Sequence, residues 1–413
     1  MHRVVITGMG AITPIGQNVE TFWENAKAGT LGISQIEQID TADLKVKLAG
    51  EIKDFDPLVA MDAKEAKRSS RVTQIGMAAA KEAIEQSGII GNVDLNRLAT
   101  IVGCGIGGIA VFEEESKKVF EGKASRVSPF MVPMMIPNML GGQIAIKYGA
   151  KGICNCPVTA CATGTYAIGD AFELVASGRV DAAICGGGES TITPTCLAGF
   201  ANMTALSDSD DPARASIPFD KERTGFVMGE GAGILVIESL EHAQSRGAKI
   251  LGEIVGYGAT CDAYHITAPA PDGDGAIRSM QAAIARAGIE ANEVKYINAH
   301  GTGTPANDKC ETAAIKAVWG ENSKNLLVNS TKSMIGHLLG GAGAVESVIC
   351  IKTLQEGIVH PTIGYKVPDE ELDLNYVTNG AIKANLEYAL SNSLGFGGHN
   401  GTLLFKKWSL KWI

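Results

Sequence analysis

Short runs of aliphatic and β-branched residues alternate along the chain with longer stretches whose apolar residues recur at helical spacing. The runs predict strands at 3–7, 98–103, 181–186, 233–238, 250–257, 294–299, 326–329 and 402–406. The alanine-rich amphipathic stretches predict helices at 19–28, 72–88, 110–121, 163–177, 240–246, 274–288, 308–319 and 341–356. Strands alternating with helices predict an α/β fold with largely parallel strands. The order also repeats. Strands near 3 and 98 precede a small-residue loop that opens a helix at 158–177, followed by strands at 181 and 233. From 250 the series restarts, with strands at 250 and 294, a loop and helix at 331–356 and a strand at 402. The two stretches share negligible identity, and no low-complexity linker separates them. The pattern therefore predicts two halves, 1–249 and 250–413, of one compact body.

Composition adds one oddity: glycine supplies 50 of the 413 residues, while aromatics make up only 6%. There is no G-X-Y period and there are only 14 prolines, which excludes collagen and low-complexity chains. The glycines must instead serve particular turns and close backbone approaches. The net charge of −9 argues against a nucleic-acid partner. No apolar run reaches the ~18 residues of a membrane helix, and the first residues lack the pattern of a signal peptide. The expectation is a soluble, cytoplasmic protein without membrane insertion, whose nine cysteines are thiols and not a disulfide framework.

Candidate chemistry sits in the small-residue loops. Gly103–Gly108 satisfies G-x-G-x-x-G after a strand, but no acid-ended strand follows about 20 residues later as a dinucleotide site requires. A proline-punctuated apolar loop, SRVSPFMVPMMIPNML, follows instead, so a tight strand–helix turn is the expectation. Cys154 and Cys156 precede Pro157 in an apolar run and read as packed; no second paired motif completes a zinc site. Cys161 opens the helix at 163–177, where the macrodipole and free N–H groups would lower its pKa and favour thiolate. Of only seven histidines, His300 (NAHGTGTP) and His337 (STKSMIGH) lie in loops after strands, where α/β proteins build their sites. Lys332 and Glu346 could pair to hold the His337 loop rigid; the plain alternative is a surface ion pair. Gly395–Gly398 (GFGG) suits a mobile loop or a set of N–H donors for an oxyanion.

Together TACATG, NAHGTGTP, STKSMIGH and GFGGHN resemble the β-ketoacyl-acyl-carrier-protein synthases, of the elongating kind found in type II fatty-acid synthesis. The likeness spans essentially the whole chain, with VVITGMGAITPIG, SPFMVPMMIPNMLGGQIAIKYG, PFDKERTGFVMGEGAGILVIE and DAYHITAP in the family's order. It implies a thiolase fold, α/β with two pseudo-duplicated βαβαβαββ halves in a five-layered αβαβα arrangement, and a homodimer. It implies Cys161 as the nucleophile that takes the acyl chain. His300 and His337 would assist decarboxylation of a malonyl-carrier thioester, with Lys332 and Glu346 in support. Phe396 matches a gating aromatic whose N–H shares an oxyanion hole with that of Cys161, flanked by Gly395, Gly397 and His399. Thr302 and Thr304 match contacts to the pantetheine arm, and Ile106, Phe130, Met131, Met135 and Phe200 match the acyl pocket. Acyl-carrier protein, acyl- and malonyl-loaded, is the implied partner, docking at Lys64, Lys67, Arg68, Arg71 and Arg126. No cofactor is implied. Some relatives hold a structural monovalent cation at positions matching Asn298, Ala299, Glu346, Ser391 and Asn392.

Three features depart from the family. His399 stands where Thr is usual, the stretch 208–211 carries acids (Asp208, Asp210, Asp211) where an Arg helps docking, and the tail 405–413 runs long. Three other readings compete. A non-catalytic, chain-length-factor-like partner would typically lack the cysteine. A ketosynthase of a dedicated polyketide or aryl-polyene pathway would keep these motifs. A nicotinamide oxidoreductase rests on the glycine motif alone. The second histidine, in STKSMIGH, points to the elongating type over the priming type, which pairs its cysteine with His and Asn.

Overall fold

The computed structural model describes residues 1–409. The first half contributes five strands to the main sheet: β1 (Val4–Ile12), β2 (Leu98–Gly103), β3 (Cys154–Asn155), β4 (Ala182–Glu189) and β5 (Gly231–Ser239). Their spatial order is β1–β5–β4–β2–β3, with β2 parallel to both neighbours and the pairs around β5 antiparallel. The second half builds β6 (Gly252–Cys261), β7 (Tyr296–Asn298), β8 (Leu327–Asn329), β9 (Tyr388–Gly395) and β10 (His399–Lys406). Their order is β6–β10–β9–β7–β8, with the same parallel and antiparallel pattern. The duplication expected from the sequence is thus exact in topology. The two sheets meet where Val4–Ile6 pairs antiparallel with Gly252–Ile254.

Helices fill the connections in matching places. These are α1 (Arg71–Ser87), α2 (Met139–Tyr148) and α3 (Thr163–Ala176), then α4 (Asp274–Ala287), α5 (Pro305–Trp319) and α6 (Ala342–Glu356). α1 and α2 cover the outer face of the first sheet, α4 and α5 that of the second, and α3 and α6 pack between the sheets. This is the five-layered αβαβα thiolase fold. Strands buried on both faces read as continuous apolar runs, which is why most were visible in the sequence. Several glycines mark where helix meets sheet. A Cβ on Gly8 or Gly10 of β1 would collide with the Ala83 and Ala79 carbonyls of α1. In the second half Gly256 and Gly258 meet Ala283 and Ser279 of α4 in the same way.

Two expectations fail here. The stretch after residue 126 is no loop: it forms helices at Met131–Met135 and Met139–Tyr148. β9 was not foreseen, because its core carries Ser391, Asn392 and Ser393. Two of these polar side chains are satisfied inside the fold: Ser393 meets Thr165 at 2.8 Å and Thr402 donates to Asn392 at 2.9 Å. GFGG is accordingly a tight connection between β9 and β10. Among the described residues no helix is long and apolar enough to cross a membrane.

Candidate active site

β3 runs through Pro157 into one turn of 3-10 helix, Ala160–Ala162, and then into α3. Ala160 holds φ +50°, a left-handed conformation uncommon for a residue with a Cβ, and the sharp turn presents Cys161. Gly395 presses on this turn: a Cβ there would lie 2.9 Å from the Thr159 carbonyl oxygen and 3.2 Å from the Cys161 nitrogen. The backbone N–H groups of Phe396 and of Cys161 itself both reach the Cys161 sulfur. Two fixed donors at one thiol form an oxyanion-hole arrangement. The expected thiolate is not what the fold produces. Burial pushes the thiol up to about 12, overriding the Lys332 charge and the two N–H groups that act to lower it.

His300 follows β7, and its loop is held by Glu311 of α5, which accepts the backbone N–H groups of His300 and Gly301 at 2.8 Å each. His337 follows a four-residue helix, Lys332–Ile335, and donates its N–H to the Val227 carbonyl at 2.7 Å. The two imidazoles lie edge to face with centroids 5.2 Å apart. His337 Nδ1 accepts from the Leu339 N–H at 3.2 Å, which places the proton of the neutral ring on Nε2. Among the described residues that Nε2 has no partner. Burial first, then the Lys332 charge, holds both histidines well below 6.5, so both rings are neutral donors.

Lys332 and Glu346 do not form a surface ion pair. Each is 1% exposed, and Nζ meets Oε1 at 2.5 Å beneath the histidines. Around them, Asn298 Oδ1 and Glu346 Oε2 are buried without partners, and Ser391 Oγ faces only the Cys350 thiol. Orphaned oxygens from three of the five positions expected around a monovalent cation fit such an ion, a hard cation with oxygen ligands.

A cavity of about 450 Å³ brings Cys161, His300, His337 and Phe396 together, with Thr302 and Thr304 at one wall. This volume is typical of small-molecule sites. Gly395 and Phe200 also line it, the Phe200 ring lying 6.3 Å from that of Phe396. Ile106 joins the apolar cluster around Cys161. Phe130, Met131 and Met135 do not reach this cavity within one chain. Gly397 takes φ +82° and donates to the Ile266 carbonyl, while His399 turns away toward the edge of Tyr166.

The residues 1–243 match the family model of the β-ketoacyl synthase N-terminal domain, and 251–366 match that of the β-ketoacyl synthase C-terminal domain. The chain belongs to the β-ketoacyl synthase family. It is 52% identical over 408 residues to 3-oxoacyl-[acyl-carrier-protein] synthase 2 of Synechocystis sp., covering 98% of each chain. It is 53% identical over 406 residues to the enzyme of the same name from Staphylococcus aureus, again covering 98% of each. Among solved structures it is similar to a type II polyketide ketosynthase in complex with its acyl-carrier protein, with a TM-score of 0.92, 32% identity and 98% and 100% coverage. A β-ketoacyl synthase from Burkholderia phymatum matches at a TM-score of 0.92 and 31% identity, with 99% and 100% coverage. This synthase is therefore a condensing acyltransferase acting on thioesters.

The synthase departs from several sequence expectations. The glycine motif wraps no nucleotide: the buried Glu189 carboxylate takes the N–H groups of Gly105 and Ile106 that a phosphate would need. Cys154 is exposed and Cys156 half-buried, because Cys154 sits on the edge strand β3 and Cys156 directly follows it. Among the proposed docking cations, Lys64, Lys67, Arg68 and Arg126 are exposed, and the Arg68 guanidinium lies 4.3 Å from the Phe130 ring centroid. Arg71 is not available for docking. Its guanidinium forks onto Glu230 at 2.6 and 2.8 Å and donates to the Ile52 carbonyl. In the acidic stretch, Asp211 caps the helix Pro212–Ala215. Of the long tail, Trp408 lies under Arg3, 5.6 Å from its ring centroid; residues 410–413 fall outside the described residues.

Glu311 and Glu189 were missed in the sequence. For Glu311 a signal existed: Asp308 and Glu311 lie three apart, one helical turn, and both face inward on α5. Glu189 gave none, since its partners, three backbone N–H groups and the Cys104 thiol, lie far away in the chain.

Proposed function

We propose that this synthase condenses an acyl thioester with malonyl-acyl-carrier protein, giving 3-oxoacyl-carrier protein, CO₂ and free carrier, as the elongation step of type II fatty-acid synthesis. The observation that carries this reading is one thiol under two backbone donors, facing the same cavity as two neutral imidazoles. Cys161 attacks the acyl thioester, and its proton leaves with the carrier thiol, so the exchange balances. The Phe396 and Cys161 N–H groups hold the oxyanion; each such donor is worth roughly 3–4 kcal/mol in a dry site. The malonyl group then loses CO₂, and the charge that appears on its thioester oxygen is met by the His300 and His337 N–H groups. The resulting carbon nucleophile attacks the acyl-Cys161 carbonyl, and the released sulfur takes one proton from solvent. The Lys332–Glu346 pair and a monovalent cation beside Asn298, Glu346 and Ser391 would fix the histidine loops. Thr302 and Thr304 would contact the pantetheine arm. The presence of Cys161 and both histidines speaks against a non-catalytic subunit.

Purified enzyme given acyl-carrier protein and labelled malonyl-carrier protein is expected to release CO₂ and form 3-oxoacyl-carrier protein. Added salt should slow it, because exposed Lys64, Lys67, Arg68 and Arg126 would meet an acidic carrier. No product would overturn the reading.

His300→Ala is expected to cut decarboxylation by at least about 10²-fold while Cys161 still becomes acylated. Loss of acylation with intact decarboxylation would contradict the assignment. Because both imidazoles are held well below 6.5, decarboxylation should show no protonation limb between about pH 7.5 and 6. A rate falling through 6.5 would mean that a titrating histidine carries the step.

A homodimer fits the edge strand β3, whose surroundings expose Ile146 (79%) and Val158 (51%). Sedimentation at twice the chain mass is expected; a monomer at micromolar concentration would argue against it.

A further inference from the structure

The buried group that the scheme above leaves unused is Glu189, at the end of β4. Its carboxylate is fully buried, and among the described residues no lysine or arginine pairs with it. Such a charge is costly to bury, so its retention calls for a compensating role. Four donors surround it, from two separate loops. Oε1 takes the Ile106 N–H at 3.2 Å and the Cys104 S–H at 3.3 Å. Oε2 takes the Gly105 N–H at 2.9 Å and the Gly340 N–H at 3.2 Å. The loops close on it so tightly that a Cβ at Gly340 would lie 2.8 Å from Oε2 and 2.6 Å from the Gly105 nitrogen.

One of these loops carries Ile106, against the apolar cluster of Cys161. The other follows His337 directly, and its Leu339 N–H is the donor that fixes the His337 tautomer. Glu189 is also one of two opposed charges felt by the nucleophile: its carboxylate acts to raise the Cys161 thiol, and Lys332 acts to lower it. We propose that Glu189 is a positioning residue of the condensing site, clamping the Ile106 turn to the His337 loop. The proposal rests on the function proposed above.

Burial pushes the Glu189 carboxyl to about 7, so the four donors hold a group that is half ionised at neutral pH and charged above it. The other titratable groups that feel it are the thiols of Cys104 on the same turn, Cys156 beside β3 and Cys196 on the helix Pro194–Asn202. Lys332 and His337 face the nucleophile from the neighbouring loop.

The test uses Glu189→Gln and Glu189→Asp, with kcat and KM measured for the acyl- and malonyl-carrier proteins and the fold checked by thermal melting. Glu189→Gln offers only one acceptor oxygen to the donors of the two loops, and Glu189→Asp keeps the carboxylate but withdraws both oxygens by one methylene. Each is expected to lower kcat at least tenfold with KM for the carriers nearly unchanged. A merely structural residue would lower the amount of folded enzyme and leave kcat per acylated Cys161 as in the parent. Full kcat in folded Glu189→Asp overturns the clamp; if Glu189→Gln fails to fold, Glu189→Asp decides. A parent that forms no 3-oxoacyl product overturns the function proposed above instead, so the two failures are distinguishable.

Discussion

Cys161→Ala is expected to lower condensation by at least about 10⁴-fold, since loss of a covalent nucleophile removes the pathway and leaves only binding and the oxyanion donors. The fold should survive. The substitution removes one sulfur atom beside a cavity of about 450 Å³, and the backbone turn is held by Gly395, not by the thiol. Thermal melting within a few degrees of the parent, together with absent 3-oxoacyl product, is the expected pair of observations. Slow release of CO₂ from malonyl-carrier protein should persist, because that step uses His300 and His337 and not the sulfur. Product formation at an undiminished rate would mean that another group accepts the acyl chain.

Lys332→Ala is expected to have the largest effect on stability. It leaves Glu346, 1% exposed, as an uncompensated buried carboxylate, and breaking one partner of such a pair costs about 3–5 kcal/mol. Urea unfolding should show a clearly lower midpoint, and activity should fall as well, because the Lys332 charge is felt by Cys161, His300 and His337. The double variant Lys332→Ala/Glu346→Ala should recover much of the stability, since no lone charge then remains. If Lys332→Ala unfolds at the parent's midpoint, the pair is not the keystone of the histidine loops described here.

Much of this could be read in the sequence, and the exceptions share a cause. Strands such as β1, β4 and β5 are legible because sheets sandwiched between helices need uninterrupted apolar residues. β9 is buried just as fully, but its Ser393 and Asn392 find partners only once Thr165 and Thr402 arrive from elsewhere. Cys161, His300, His337 and Phe396 were visible because small-residue loops after strands stand out and resemble a family. Arg71 was misread because it sits in the cationic run 64–71, whereas its carboxylate, Glu230, lies 159 residues away. The protonation of Cys161 was misjudged for the same reason. The start of a helix favours thiolate, but burial by Gly395, Phe396 and the opposing loops decides the outcome, and burial is a property of the assembled fold.

The most direct measurement is the mass of the Cys161 peptide during turnover. After mixing with acyl-carrier protein alone, the account predicts an added acyl group on Cys161 and on no other cysteine. On adding malonyl-carrier protein, that group should leave as 3-oxoacyl-carrier protein with one CO₂ released for each chain. Acyl found on another residue, or product formed while Cys161 stays free throughout, would contradict it.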